Sequence, residues 1–254
     1  MTCMRNLISA AAVAIAAAGL STAALADCGD LPDHDALSAA LRESVKPSGG
    51  PANGGLDLNM WATIVDVDGT VCAVAFSGES FTDQWLGSRV ISAQKANTAN
   101  AFSLDRLALS TANLYAPTQP GGSLFGLQAR NPVDTGAAYG GDAALFGTAA
   151  DPMTGRRIGG VNVFGGGLAL YSDGKVGAIG VSGDSSCADH NIAWRVRKAL
   201  GLDRVPGGVS PNGDDGIVYD IAGETSRGGF GHPVCGGSEA KVAAEIGAGV
   251  VAVQ

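Results

Sequence analysis

The amino-acid sequence predicts an α+β domain: one antiparallel sheet of about five strands with helices packed against it. Two observations predict it. Asp68-Gly69 and Asp173-Gly174 each sit between two β-rich runs, Trp61–Phe76 and Leu168–Val181. Strands joined by so short a turn must be antiparallel, and Asp-Gly suits the type I′ turn of a hairpin. Each hairpin is then followed by a helical pattern, so a hairpin-then-helix unit occurs twice.

The chain opens on a segment expected to be removed. Arg5 is the only charge before Asp27, an apolar run covers Leu7–Leu20, and Ala24-Leu25-Ala26 offers a small-x-small cleavage site. This is the pattern of a secretory signal peptide over residues 1–26, cut after Ala26; the run is short and alanine-rich for a membrane anchor. Asp27 stands where a lipoprotein signal would carry a small residue before Cys28, and no later run is long and apolar enough to span a bilayer. Loss of Arg5 takes the formal charge from −8 to −9. So acidic a chain is a poor partner for nucleic acid or an anionic membrane surface. The expected location is periplasmic or secreted.

Export also frames the cysteines. Cys28, Cys72, Cys187 and Cys235 remain, and an even count in an oxidising compartment favours disulfides. Three pairings are open. Cys187–Cys235 with Cys28–Cys72 is preferred, because the first would pin the C-terminal tail to the start of a helix.

Within Asp33–Val45, Leu37, Ala40, Leu41 and Val45 share one helical face, with Asp33 or Asp35 as cap. After the first hairpin, Asp83–Phe102 reads as a helix whose packing face holds Trp85, Val90, Ile91 and the small residues Ala93, Ala96 and Ala99. Ser103–Leu114 reads as a short helix capped by Ser103. Residues 115–163 form an insertion rich in Gly and Pro; its Leu124, Phe125, Leu127, Tyr139, Leu145 and Phe146 are too apolar for a free linker, so it is expected to pack. The second hairpin leads to a helix over Ala188–Leu200, with Ser185 or Ser186 as cap, Asp189 in the first turn, basic residues at the end and Gly201 as stop. The domain is therefore drawn over 27–202, with 203–254 as a C-terminal extension, read as a separate arm with weak helical character over Ser238–Val251.

Three motifs carry chemistry on paper. Gly180-Val181-Ser182-Gly183 suggests a nucleophile elbow, but Asp184 stands where the second glycine of GxSxG is required. Asp66-x-Asp68-Gly69 lacks the distal ligands of a calcium loop. Cys187-x-x-His190 with His232-x-x-Cys235 offers two thiolates and two imidazoles for zinc, against which an oxidising compartment favours a disulfide, so no metal site is assigned. Lys95 and Thr98, three apart on a helix rich in Ala and Asn, are candidates to line a shallow pocket.

Ser92-Ala93-Gln94-Lys95-Ala96-Asn97-Thr98-Ala99 resembles the A-x-x-K-A-x-T-A helix of the GlcG/HbpS haem-binding family, also described as haem-degrading. Gly165-Gly166-Gly167, the hairpin, Gly177–Gly183 and Asp189 resemble that family's GG-P-I…G-A-I-G-V-S-G…D pattern. The likeness covers roughly 33–202. The chain departs through its insertion, its extension, its cysteines, and Leu168-Ala169 in place of the proline-containing step. The resemblance implies a central antiparallel sheet, self-association as a homo-oligomer, and haem or another small molecule as ligand. Lys95, Thr98, Asp189 and His190 are the ligand-binding candidates. For haem, Thr98, His190, His232 and Tyr171 are candidate iron donors, and Lys95 or Arg89 candidate propionate partners. A rival reading is an enzyme acting on haem or a small organic substrate with Asp184, Asp189 and His190 as acid/base groups; a third is a non-catalytic assembly protein. No catalytic residue is assigned.

Overall fold

The computed structural model describes residues 27–47 and 52–251. The expected signal segment lies outside the described residues. Helix α1 (His34–Val45) is capped by Asp33, whose carboxylate accepts the Ala36 N–H at 2.9 Å. Strands β1 (Trp61–Asp66) and β2 (Val71–Phe76) form the first hairpin, and α2 (Gly87–Phe102) follows. Strands β3 (Gly167–Tyr171) and β4 (Lys175–Ser182) form the second, followed by α5 (Ser186–Ala199). Two short helices, α3 (Tyr115–Thr118) and α4 (Thr135–Tyr139), lie between the units. The C-terminal part adds β5 (Ile217–Tyr219), β6 (Ile221–Ala222), β7 (Thr225–Ser226), α6 (Glu239–Ile246) and β8 (Gly249–Val251).

The central sheet is antiparallel and has four strands rather than five, in the order β2-β1-β4-β3. The remaining β-like runs pair only with each other, β5 with β8 and β6 with β7. The two hairpins meet through β1 and β4, with Thr63 opposite Gly180 and Ile64 opposite Ile179.

Side-chain alternation along each strand splits the core in two. Ala62, Ile64, Leu168, Ile179 and Val181 pack against Leu37 and Leu41 of α1 and Ile192 and Val196 of α5. Trp61, Val65, Val74 and Ala178 face Val90, Ala93, Ala96 and Ala99 of α2. The result is helices on both sides of a buried sheet. Alanines let α2 lie close, and Gly180 lets it lie closer: a Cβ there would stand 2.0 Å from the Ser92 carbonyl oxygen. Trp61 stacks on its cross-strand partner Phe76 at 4.3 Å between ring centroids.

Several expectations need correction. Neither turn is type I′. Only Gly69 takes a positive φ (85°) in the first, and neither Asp173 nor Gly174 does in the second. The Asp66 carboxylate holds the first loop through the Asp68 and Thr70 N–H groups, and Asp105 holds the second through Lys175 N–H. Helix α2 starts four residues late. Asp83 instead binds the Glu79 and Ser80 N–H groups in a turn, which leaves Trp85 58% exposed and off the packing face. Ser103 closes a loop by bonding the Leu109 backbone both ways, and a single 3-10 turn at Thr111–Leu114, capped by Ser110, replaces the expected helix.

The insertion packs on the outer side of α2. Arg89 makes a buried ion pair with Asp151 and donates to Ala138 O at 3.0 Å. Asn97 donates to Gly160 O, and Thr98 Oγ1 accepts the Asn162 N–H. The extension is no separate arm. Arg197, one of the basic residues near the end of α5, is buried against Asp215 at 2.7 and 2.8 Å. Asn113 donates to Gly216 O, and Ala248 and Ala243 pack beside Cys187. Among the described residues no helix is long and apolar enough to cross a membrane.

Candidate functional site

The strand-to-helix corner between β4 and α5 gathers most of the candidates. Gly183 makes the bend with φ 154°, where a Cβ would meet the Asn59 carbonyl oxygen at 2.5 Å. Ser185 caps α5 by accepting the Ala188 N–H at 3.2 Å. Asp184 is a backbone clamp: its carboxylate accepts the Leu56 N–H at 2.8 and 2.9 Å and the Leu58 N–H at 3.3 Å. Those bonds tie the approach to β1 onto the corner and occupy the oxygens an acid/base role would need.

Lys95 and Asp189 do meet. Their Nζ–Oδ2 distance is 2.6 Å and both side chains are 3% exposed. Lys95 also donates to Val181 O at 3.1 Å, and Asp189 Oδ1 accepts the Asp184 N–H at 2.9 Å. Burial pushes the Asp189 carboxyl up to about 6, an effect that the Lys95 charge and these hydrogen bonds only partly offset. The glycine triplet seals the pair. A Cβ on Gly166 (φ 117°) would lie 2.4 Å from Val181 O, 2.9 Å from Asp189 Cβ and 3.0 Å from Lys95 Nζ. The matched segments thus converge on one buried ion pair with glycine backbone laid against it.

Thr98 and His190 do not join that pair. Thr98 is fully buried; its hydroxyl donates to Gln94 O at 2.7 Å and accepts from Asn162. His190 is fully buried, and neither ring nitrogen has a hydrogen bond of ordinary geometry among the described residues. Burial holds its pKa down at about 3, with Asp215, Arg197, His232 and the Ala248 backbone as its polar surroundings. His232 is also buried. Its Nδ1 lies 2.8 Å from Pro233 O, and its Nε2 lies 3.3 Å from Ser186 Oγ and 3.4 Å from the Gly165 N. Nδ1 therefore carries the proton and Nε2 accepts, and burial again lowers the pKa, to about 4. The sulfurs of Cys187 and Cys235 lie 2.07 Å apart, and those of Cys28 and Cys72 1.96 Å apart.

A cleft of about 470 Å³ opens between the insertion and the extension, lined by Tyr115, Gln119, Pro120, Ile221, Glu224 and Pro233. A second hollow of about 350 Å³ shares Ala116, Gln119, Pro120 and Glu224 with it. Tyr115 is held by ring contacts with His232 (5.3 Å) and Phe164 (5.8 Å).

The model of a family described as haem degrading protein HbpS-like matches residues 52–197, more than half of the chain. The chain belongs to the HbpS-like family. Among solved structures, it is similar to PduOC in a haem complex, at 27% identity over 68% of this chain and 96% of that one, with a TM-score of 0.45. It is also similar to Klebsiella pneumoniae protein ORFY (22% identity, 67% and 90% covered, TM-score 0.43) and to HbpS (17%, 74% and 99%, 0.44). Comparison with curated proteins gives no match.

Membership of the HbpS-like family raises haem, and the residues test it. Haem needs an iron donor, an apolar slot and partners for its propionates. Of the expected donors, Thr98, His190 and His232 are fully buried, and Tyr171, 1% exposed, donates its hydroxyl to Leu104 O at 2.8 Å. Burial pushes that phenol up to about 12. Lys95 and Arg89 are committed to Asp189 and Asp151. Haem does not fit at these interior positions. The cleft has the volume of a small-ligand site and one haem-iron donor type, the Tyr115 phenol. Sequence reasoning missed Tyr115, Asp151 and Asp215. The acids lie in Gly-rich segments, far in sequence from the arginines they meet, and no local spacing marks them.

Proposed function

We propose that this HbpS-like chain is an exported, non-catalytic binding protein that takes a small ligand, haem first among candidates, in the Tyr115 cleft. Membership of a family described as haem-degrading and HbpS-like carries the haem part of the reading. The geometry favours binding over turnover: Asp189 and His190 are sealed from solvent, and Asp184 is spent on backbone. In the cleft Tyr115 would supply the iron donor, with Pro120, Ile221 and Pro233 as apolar wall. Export rests on the N-terminal signal pattern and on cysteine sulfurs paired at bonding distance. Self-association is supported by exposed Trp85 and Tyr139 near a hollow of about 290 Å³ lined by Leu86, Arg89, Val90, Tyr139 and Phe146.

Hemin titration of the purified protein tests this. The expected result is a saturable Soret shift that Tyr115→Phe abolishes while the fold is kept. No saturable shift removes haem; a shift unchanged in Tyr115→Phe removes the cleft. Reductant-driven bleaching of the bound Soret band would overturn the non-catalytic part. Sedimentation of the same sample as a single chain would remove self-association.

A further inference from the structure

The Cys187–Cys235 lock has a third member. His232 Nδ1 lies 3.9 Å from Cys187 Sγ, and the three ligand atoms of Cys187, His232 and Cys235 all fall within 4.8 Å of one another. We propose that reduction of this disulfide converts the lock into a binding site for a borderline-soft divalent ion of the zinc class, held by two thiolates and one imidazole. This site uses none of the proposed haem-binding groups but adjoins the cleft, which Pro233 lines and whose Tyr115 ring contacts His232.

The distances support it. With Zn–S near 2.3 Å and Zn–N near 2.0–2.1 Å in a tetrahedron, ligand sulfurs stand roughly 3.8 Å apart, and sulfur and nitrogen roughly 3.6 Å. The sulfur–nitrogen pair is already within about 0.3 Å of that value. The two bonded sulfurs must separate, and Pro233 O, which now takes the Nδ1 proton at 2.8 Å, must turn aside. Cys235 has room to shift: it is partly exposed, Val234 beside it is 65% exposed, and two exposed glycines separate it from Ser238, whose N–H is held by Gly54 O at 3.0 Å.

The surroundings suit thiolates and a ligating imidazole. Cys235 Sγ accepts the Cys187 N–H at 3.3 Å in the first turn of α5, where the helix dipole favours negative charge. Ser186 Oγ stands 3.3 Å from His232 Nε2. When the metal takes Nδ1, the proton now shared with Pro233 O moves to Nε2, Ser186 Oγ accepts it, and the long Gly165 N–H contact to that nitrogen is given up; the Ser186 bond is the second-shell bond that fixes a ligating histidine.

The redox step balances with a dithiol reductant. Its thiolate attacks the accessible Cys235 sulfur, breaks the S–S bond and expels Cys187 as thiolate. Its second thiol then resolves the mixed disulfide, leaving as a cyclic disulfide and releasing Cys235. Two electrons and two protons pass to the protein. Binding of the divalent ion then releases those two protons.

The test is a cobalt titration, with zinc competition, of the full chain carrying Cys28→Ser and Cys72→Ser, so that only this pair is reducible. The phosphine-reduced protein is expected to bind one equivalent of cobalt with thiolate-to-metal charge-transfer absorption, which zinc then bleaches. The oxidised protein should bind none. His232→Gln should weaken binding at least about tenfold. In the unsubstituted reduced chain, zinc should slow alkylation of Cys187 and Cys235 but not of Cys28 and Cys72, which covers failure of the double variant to fold. Absence of charge-transfer absorption together with unprotected thiols overturns the proposal; so does cobalt binding that His232→Gln leaves unchanged.

Discussion

Lys95→Met should show that the motif lysine is structural, by a penalty whose size follows pH. The substitution keeps the side-chain length and removes the ammonium 2.6 Å from Asp189. Stripping one partner from a buried pair costs about 3–5 kcal/mol. Here protonation sets a ceiling. The stranded carboxylate can take up a proton, and against its ordinary value of 3.8 this costs about 1.36 kcal/mol per pH unit, roughly 4 kcal/mol at pH 7; with its carboxyl already at about 6 the paired acid bears roughly 3 kcal/mol of that, so the extra loss is capped at about 1 kcal/mol at pH 7 and near zero at pH 5. Urea unfolding with both disulfides intact should therefore give a loss of about 1 kcal/mol at pH 7, vanishing towards pH 5. Lys95→Met with Asp189→Leu should recover most of it, because the charge and its desolvation leave together. Ligand affinity per folded molecule should not change. A loss above about 3 kcal/mol at pH 7, or one that does not shrink in acid, would refute the reasoning.

Two further outcomes follow from buried geometry. His190 is held neutral, with its pKa at about 3 against an ordinary 6.5, so the unfolded chain binds a proton that the folded chain refuses throughout that window. Stability is complete above pH 6.5 and falls as pH drops towards 3, by about 3 kcal/mol at pH 4.5; unfolding curves of His190→Leu should lack that part of the slope, and an equal slope in both proteins would remove His190 as its source. Gly180→Ala places a Cβ 2.0 Å from Ser92 O and 2.5 Å from the Ala96 N, so α2 must lift off β4. The expected cost is about 3 kcal/mol in urea, and a neutral substitution would mean the helix is not held that close.

The frame was legible because its signals are local. Asp33 before an amphipathic run, two Asp-Gly turns between β-rich runs, and Gly201 after a helix each act within a few residues. The turn type was misread because side chains from outside the turn pairs set it, Asp66 in one hairpin and Asp105 in the other. The strand count was misread because Ile217–Tyr219 has strand propensity but finds its partner in β8, away from the main sheet. The candidate site was half legible. Lys95 and Asp189 were both named, and they do meet; what sequence could not supply was their depth, which turns candidate ligand groups into a sealed ion pair. Thr98 looked available on its helix until the insertion covered that face and took its hydroxyl.

The start of α5 explains how so divergent a chain keeps the family frame. Remote pieces of chain are tied there by four residues between 184 and 189. Asp184 holds the approach to β1, Ser185 bonds Glu239 of α6 at 2.6 Å, Cys187 binds Cys235, and Asp189 pins α2 through Lys95. The Asp184 and Asp189 ties fall within the family match, and the other two reach into the extension beyond it. Their chemistry differs accordingly. The Asp189 tie is dry and permanent, since opening it would expose a buried charge pair. The Cys235 tie ends on a partly exposed residue followed by two glycines, so of these four ties it is the one a reagent from outside can undo while the sheet and α2 stay in place. With the Cys28–Cys72 bridge replaced by serines, a thiol-dependent change confined to the extension, with the Lys95–Asp189 centre intact, is the behaviour this division of bonds dictates.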